Sequence, residues 1–544
     1  MKHISFISFL LCLTMVIMSA CSRNTSGNTS SEPEPSSVSS EVATAGVLTL
    51  PYCSSDVYNP YNTTTKVNQQ LSQLLYDPLI KLNENLSPVY VLAESVEING
   101  KHCAITIKNT VFSDGTAVTA DDIVYSIKKA IESTTKYRAQ LSSIISYSAA
   151  SSTSVTIMLS KSDPYFVNML DFPIIKRHTD GLKDENNIDI PPIGSGRYTI
   201  DLVQKLLIAN PNYYGGVAKI GQIKLLNTPD DEALQHDIEV GSISCYFSDL
   251  SDCVIPKMTG SNTTVNLNNL VYMGINMNNP TLKIPEVRYA LSCALNRTKI
   301  ANQCYFTYAS AATGPFNSVW KEAANTQSIG IVENIAVAVA DLAKIGYNIK
   351  DTQGFYMTTA NKRLSFTLLV NSNNSCRVSA AEQIKAQLAA AGIEINIKSV
   401  DWDSYLAALT AGNFDLYLGE IKIPNNMDLS ELVTPGSSIA YGVVAPDKIP
   451  TTSSDATGTT SSNTQSSASS TNNVIKYNST SEALTAFYNN EATISDVILA
   501  FNAEMPIIPI CHRSGIFIYS TNFEVGPSCI LSDVFHNIEN CTFK

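Results

Sequence analysis

Apolar residues in this chain recur in two rhythms, and each predicts a different element. In "HCAITI", Cys103, Ile105 and Ile107 alternate on one face, the pattern of a half-buried strand. Asp114 and Gly115 then supply a turn, and Thr119 with Asp122 reads as a capping box opening a helix whose stripe is Ile123, Ile127, Ala130 and Ile131. Earlier, "VLTLPY" reads as a short apolar strand, followed by Leu71, Leu74, Leu75 and Leu79 at helical spacing. Between Pro191 and Asn269, "PPIGSGRYTI" and "NPNYYGG" place glycine turns between short strands and predict a separate sheet region. From Pro285 a second helix is expected to bury Val287, Ala290, Leu291, Ala294 and Leu295. Beyond it "LSFTLLV", "SAAEQIKAQLAAAG", "IEINIKSV", "DSYLAALTAG" and "FDLYLG" alternate strand and helix, predicting a mainly parallel α/β layer. Ser379 with Glu382 is expected to cap the first of those helices and Gly392 to end it.

Two segments break these rhythms. The apolar run "ISFISFLLCLTMVIMSA" follows Lys2 and His3; it is short for a bilayer span and suits a signal-peptide core. Its end, Met18, Ser19, Ala20 and Cys21, resembles a bacterial lipobox, which implies cleavage before Cys21 and attachment of lipid to that cysteine. Residues 1–20 are then the signal, and residues 21–45, almost without apolar side chains, a flexible tether. The Ser/Thr-rich tract at 451–473 offers too little apolar area to offset the entropy of ordering it and is expected to be a solvated loop.

The roughly 500 remaining residues are enough for two or three domains, and a hydrophobic content of 44% is that of a globular protein. A net charge of -12 and a pI near 5.1, with no basic cluster, argue against a nucleic-acid partner. Of twelve cysteines, Cys12 lies in the apolar run and Cys21 at its end; the other ten show no Cys-x-x-Cys pair, which is unlike a zinc site. Outside the cytoplasm they are free to pair, as near neighbours such as Cys245 and Cys253 could, or to stay as buried thiols. There is no Gly-x-Ser-x-Gly elbow, phosphate loop or His-x-x-x-His pair, so an enzyme is poorly supported and no cofactor or metal is expected. "GSGRY" at 194–198 reads as a β-turn rather than a phosphate cradle.

In chain order, "FSDGTAVTADDIVYSIKKAIES", "PPIGSGRYTI", "NPNYYGG", "INMNNPTLKIPEVRYALSCALNRTKI" and "MPIIPI" resemble the characteristic segments of the family 5 extracellular solute-binding proteins that serve peptide ABC importers. The resemblance runs through most of residues 46–544. It implies a mixed α/β fold of the periplasmic-binding-protein type, with two lobes, three domains and a hinge. The discontinuous first domain would comprise 46–75, 190–270 and 499–544, the small inserted domain 76–189, and the opposite lobe 271–498. The expected protein is a monomeric, lipid-anchored, extracytoplasmic receptor that takes a peptide into its interlobe cleft and passes it to permease subunits.

Carried over position by position, the resemblance makes Thr64, Thr65 and Lys66, in the loop after the first strand, candidate ligand contacts. Tyr137, Tyr246, Ser248 and Trp402 join them. Where family members that grip a peptide's amino terminus carry an aspartate in a "DYPDP"-like run, this chain reads "FDLYLGEIKIPNNMDLSEL". Glu420 or Asp428 could replace that aspartate, or the ligand lacks a free amino terminus. The rivals are a receptor for a nickel or haem complex or an oligosaccharide, a peptide-sensing lipoprotein, and a lipoprotein enzyme. A metal reading depends on His512 in "PICHRSG".

Overall fold

The structure, a computed structural model, describes residues 47–257, 259–445 and 474–544. The lipobox, the tether and the 451–473 tract lie outside the described residues.

Alternation along one strand builds the larger layer. In Ser261–Ile275, Val271, Met273 and Ile275 enter one core while Leu270 and Tyr272 enter another on the opposite face. Its neighbours divide the same way: Phe366, Leu368 and Val370 against Leu369, Leu416 and Leu418 against Tyr417, Ile508 and Ile510 against Ile507. A sheet apolar on both faces must be covered on both. Helices Pro285–Cys293, Arg297–Cys304 and Ser375–Ala390 cover one side, and Trp402–Thr410, Thr480–Tyr488 and Ile494–Glu504 the other. Val287, Ala290, Leu291, Ala294 and Leu295 are all buried, as the spacing predicts.

The three strands of the alternating stretch are parallel to one another, as expected, but the larger sheet that holds them is not mainly parallel: among the described residues two of its six pairings are. Ser365–Asn371 pairs in parallel with Glu394–Val400 and Leu416–Lys422, but Ser261–Ile275 and Ile507–Tyr519 join antiparallel. Helical crossovers follow two of the three parallel strands; the long antiparallel strands arrive from elsewhere in the chain and carry no such signal.

The first core is built on two smaller sheets. Thr49–Tyr52 lies parallel to Gln222–Asn227, which continues antiparallel through Leu206–Ala209 to Tyr198–Asp201. The second is a four-stranded antiparallel sheet of residues 93–159, in which Cys103, Ile105 and Ile107 face inward. Helix Ala120–Glu132 packs its stripe here, its start fixed by the Asp122 carboxylate accepting from Thr119 N at 2.9 Å and Thr119 Oγ1 at 2.6 Å.

Three local expectations change. Helix Lys66–Leu75 stops before Pro78, so Leu79 is buried beyond its end rather than on its stripe. Helix Ser375–Ala390 starts at Asn374, whose side chain accepts from Arg377 N at 3.0 Å, so Ser379 and Glu382 lie inside it. Gly392, at φ +81°, does end it: its N–H reaches Ala389 O and that of Ile393 reaches Leu388 O, a Schellman closure. Cys253 bonds to Cys376, not to Cys245, which is a buried thiol; their Cα atoms are 5.8 Å apart across 123 residues.

"GSGRY" is a structural pin. A Cβ on Gly194 would lie 2.1 Å from Leu75 O, and one on Gly196 2.4 Å from Leu74 O, so only glycine lets this turn meet the end of helix Lys66–Leu75. The turn delivers Arg197 into the core, where it donates to both oxygens of the buried Asp533 at 2.8 and 3.0 Å.

Candidate functional site

The loop "NTTTKV" is wound around one carboxylate. Asp56 accepts from Thr63 Oγ1 at 2.7 Å, Thr64 N at 3.1 Å, Thr65 N at 2.8 Å and Thr65 Oγ1 at 2.7 Å. Burial pushes its carboxyl up, but the threonine hydroxyls outweigh that and hold it below the usual aspartate range. Lys66 Nζ donates to Ser251 Oγ at 3.0 Å and sits 3.5 Å from the Asp249 carboxylate. Thr64, Thr65 and Lys66 line a cavity of about 350 Å³ that Tyr246 and Ser248, on strand Cys245–Ser248, line as well.

A larger cavity, about 730 Å³, opens between two stretches distant in sequence: residues 136–173 on one wall and 421–439 on the other. Tyr137 lines it, its hydroxyl pushed well up by burial. The walls touch through polar contacts. Asn425 Nδ2 donates to Asp171 Oδ2 at 2.9 Å, Asn426 Nδ2 to Asp163 Oδ2 at 2.7 Å, and Lys161 pairs with Asp428. Burial raises the Asp163 carboxyl to about 6, against the lowering effect of Asn426. Lys422 also lines this cavity; water reaches it, yet the surrounding protein first and Lys136 second pull its ammonium down to about 8.

The sequence-derived candidates therefore divide. Thr64, Thr65, Lys66, Tyr246 and Ser248 come together at the smaller cavity and Tyr137 stands at the larger, while Glu420 and Trp402 line neither. The Glu420 carboxylate is fully engaged, by Arg513 at 2.6 and 2.7 Å, Arg377 at 3.0 Å and Asn269 at 2.9 Å. Burial raises its carboxyl, but the Arg513 guanidinium outweighs this and keeps it ionised. Asp428 does reach the larger cavity, already paired with Lys161. Trp402 opens its helix, stacks on Tyr405 with ring centres 5.7 Å apart, and is 45% exposed. His512 is buried, its imidazole held neutral by burial with a pKa down near 4, and among the described residues no group of three His, Cys, Asp or Glu could hold a metal ion.

Sequence reasoning missed Lys136, Asp171, Lys422, Asn425 and Asn426. The signal was in "EIKIPNN": that run departs from the expected acidic one, and its residues Ile421 to Asn426 all line the cavity, with a lysine and two asparagines among them and no acid.

No helix among the described residues is long and apolar enough to cross a membrane. The oligopeptide-binding protein AppA of Bacillus subtilis is 27% identical over 441 residues, covering 75% of this chain and 78% of that protein. The nickel-binding protein NikA of Staphylococcus aureus is 26% identical over 377 residues, covering 66% and 70%. The structure of B. subtilis AppA in complex with a nonapeptide superposes with a TM-score of 0.56 at 20% identity, over 92% of this chain and 99% of that one, a likeness of fold. Residues 87–435 match the bacterial extracellular solute-binding proteins, family 5, middle region. With that match over most of its length, and with the mixed α/β fold to go with it, the chain belongs to the family 5 extracellular solute-binding proteins of ABC importers, which are binding proteins and not enzymes.

Proposed function

We propose that this chain is a lipid-anchored extracellular receptor that captures short peptides between two lobes and delivers them to an ABC permease. The observation that carries the reading is the 730 Å³ cavity whose walls belong to different cores. Its volume lies within the several hundred Å³ typical of small-molecule sites. Its lining mixes tyrosine, amide and charged side chains, suited to a ligand with a polar backbone and variable side chains. On this reading the first domain comprises 46–75, 190–270 and 499–544, the inserted domain 76–189, and the opposite lobe 271–498.

Strands Ser261–Ile275 and Ile507–Tyr519 pass from one lobe to the other: Val265 and Phe517 lie in the first core, Val271 and Cys511 in the second. Their pairing slips between Asn266 and Asn269, a bulge suited to bending. Closure about such a hinge stabilises whichever form makes ligand contacts from both lobes.

The test is native mass spectrometry of the protein as purified, with calorimetric titration of pooled peptides of two to eight residues. A co-purified peptide, or saturable heat from a pool, supports the reading; silence with every pool overturns it. Cys21 is tested separately by labelled fatty acid, expected on the native protein and absent from Cys21→Ser. The likeness to NikA supports a second reading, a receptor for a nickel complex. It predicts heat from nickel with histidine and none from peptides.

A further inference from the structure

The hairpin of strands Ile80–Leu82 and Pro88–Tyr90 sends its tip away from its own core. Leu82 lies in the first core, but Leu86 is 2% exposed in the core around Leu270, Leu369 and Tyr417, whose other buried members among the described residues all fall between 270 and 507. Its backbone is left-handed, at φ +57°, a conformation that suits glycine or asparagine and is unfavourable for a bulky side chain. The turn is fixed from within: Asn83 Oδ1 accepts from Asn85 N and Ser87 N, both at 3.0 Å, and Asn83 O accepts from Leu86 N at 3.0 Å. Such strain persists where the surroundings hold the residue in place, and here the surroundings of the side chain belong to a different core.

A second side chain makes the same crossing. Phe166 is buried in the first core, while its neighbour Tyr165 packs against the core that holds Leu86. The Tyr165 ring stacks on Phe487 with centres 5.6 Å apart and meets Trp320 at 5.4 Å and Tyr488 at 6.5 Å edge to face. Polar contacts flank it: Ser162 Oγ donates to Tyr488 O at 2.7 Å, and Asn168 Nδ2 to Asn425 O at 3.0 Å and to Leu86 O at 3.4 Å. Leu86, Tyr165 and the three rings around Tyr165 line neither cavity. A solute in either cavity would touch none of them, so their attraction does not depend on one. Parting the two sides would return a leucine and a tyrosine face to water.

We propose that Leu86 and Tyr165 clasp the inserted domain to the opposite lobe whether or not a solute is bound, so that the unliganded receptor rests near its closed form and solute-driven movement turns about the clasp. This rests on the two-lobe reading for the identity of the parts, and not on the nature of the solute.

The test is small-angle scattering of the protein without solute, wild type against L86G, Y165A and the double variant. Glycine relieves the left-handed turn while removing the peg, so L86G is expected to fold; if melting shows that the double variant does not, L86G alone decides. Each variant should have a larger radius of gyration than wild type, and Y165F, which keeps the ring, should match wild type. Where a pool of peptides of two to eight residues binds, it should hardly compact the wild type and should compact the variants. A second readout uses Trp402→Phe, in which Trp320 is the sole tryptophan. Acrylamide should quench Trp320 faster once L86G is added, since that change spares the ring partners of the indole. Variants as compact as wild type, or quenching unchanged by L86G, would overturn the clasp. The comparison needs no solute, so silence with every peptide pool would remove the peptide reading and leave the clasp to be judged on its own.

Discussion

Arg197 and Asp77 show what burial does to single charges near the same helix end. Arg197 is 2% exposed and bound to Asp533, whose carboxyl the guanidinium holds far below the aspartate range despite burial. Removing one partner of such a pair leaves the other charged and buried. Arg197→Met is expected to cost about 3–5 kcal/mol in urea unfolding, with part of it recovered when Asp533→Leu is added. An equal loss in the single and double variants would mean that packing, not charge, is at stake. Asp77 is the opposite case: wholly buried, its carboxylate oxygens make no hydrogen bond, and Lys81 is 3.9 Å away. Desolvation lifts its pKa from 3.8 to about 6, against the pull of Lys81 and Arg197 and with the push of Asp533 and Glu539. The folded state therefore holds that proton more tightly than the unfolded chain. Its contribution to stability grows as pH falls from above 6 toward 4 and is lost as pH rises through the same window. Asp77→Asn should flatten this part of the melting-temperature profile; an unchanged slope would assign it elsewhere. Little of this was readable beforehand, because "GSGRY" marks a turn while the partner of its arginine lies 336 residues on.

Elements with local causes were legible and those with distant partners were not. The box of Thr119 and Asp122, the inward face of Cys103, Ile105 and Ile107, and the stop at Gly392 each arise within a few residues, where period and capping chemistry act. Ser379 and Glu382 had the same spacing but lost to Asn374, because nothing in a four-residue pattern tells which of two caps begins a helix. The cysteine pairing depended on fold: the loop after strand Cys245–Ser248 crosses to the first turn of helix Ser375–Ala390, and Asn374 Nδ2 donates to Ser251 O at 3.0 Å beside it. The cross-link closes a long loop of chain, so the unfolded state loses entropy that the folded state does not. The double variant Cys253→Ser, Cys376→Ser should lose about 2–5 kcal/mol in stability, and the oxidised wild type should show the matching loss on reduction. Equal denaturation midpoints with and without reductant would show that the bond adds nothing to the fold.

Across the whole molecule the two tryptophans offer separate readings. Trp320 is buried among Phe316, Tyr165 and Phe487 and should report little on ligand. Trp402 is half exposed, and its backbone N–H donates to Asn373 Oδ1 at 3.0 Å, next to the Asn374 that reaches Ser251 and, through it, Lys66. The start of the Trp402 helix thus stands on one side of a contact line whose other side is the loop at the smaller cavity. The strands that join the two sides slip register at Asn266–Asn269, and the larger cavity's walls meet at Asn425 and Asn426. A ligand that draws those walls together should also move the Asn373–Asn374 turn against the Lys66 loop and change the water around Trp402. Titration with trialanine or a binding peptide pool is expected to blue-shift or quench emission saturably, at the concentration where calorimetry finds heat. Trp402→Phe should abolish the optical change and weaken binding only modestly, by on the order of 1 kcal/mol, since the ring lines neither cavity. Trp320→Phe should leave the change intact. Heat without any change at Trp402 would mean that the ligand enters a cleft already closed. A response to nickel with histidine alone would replace the peptide by a metal complex as the solute that drives the motion.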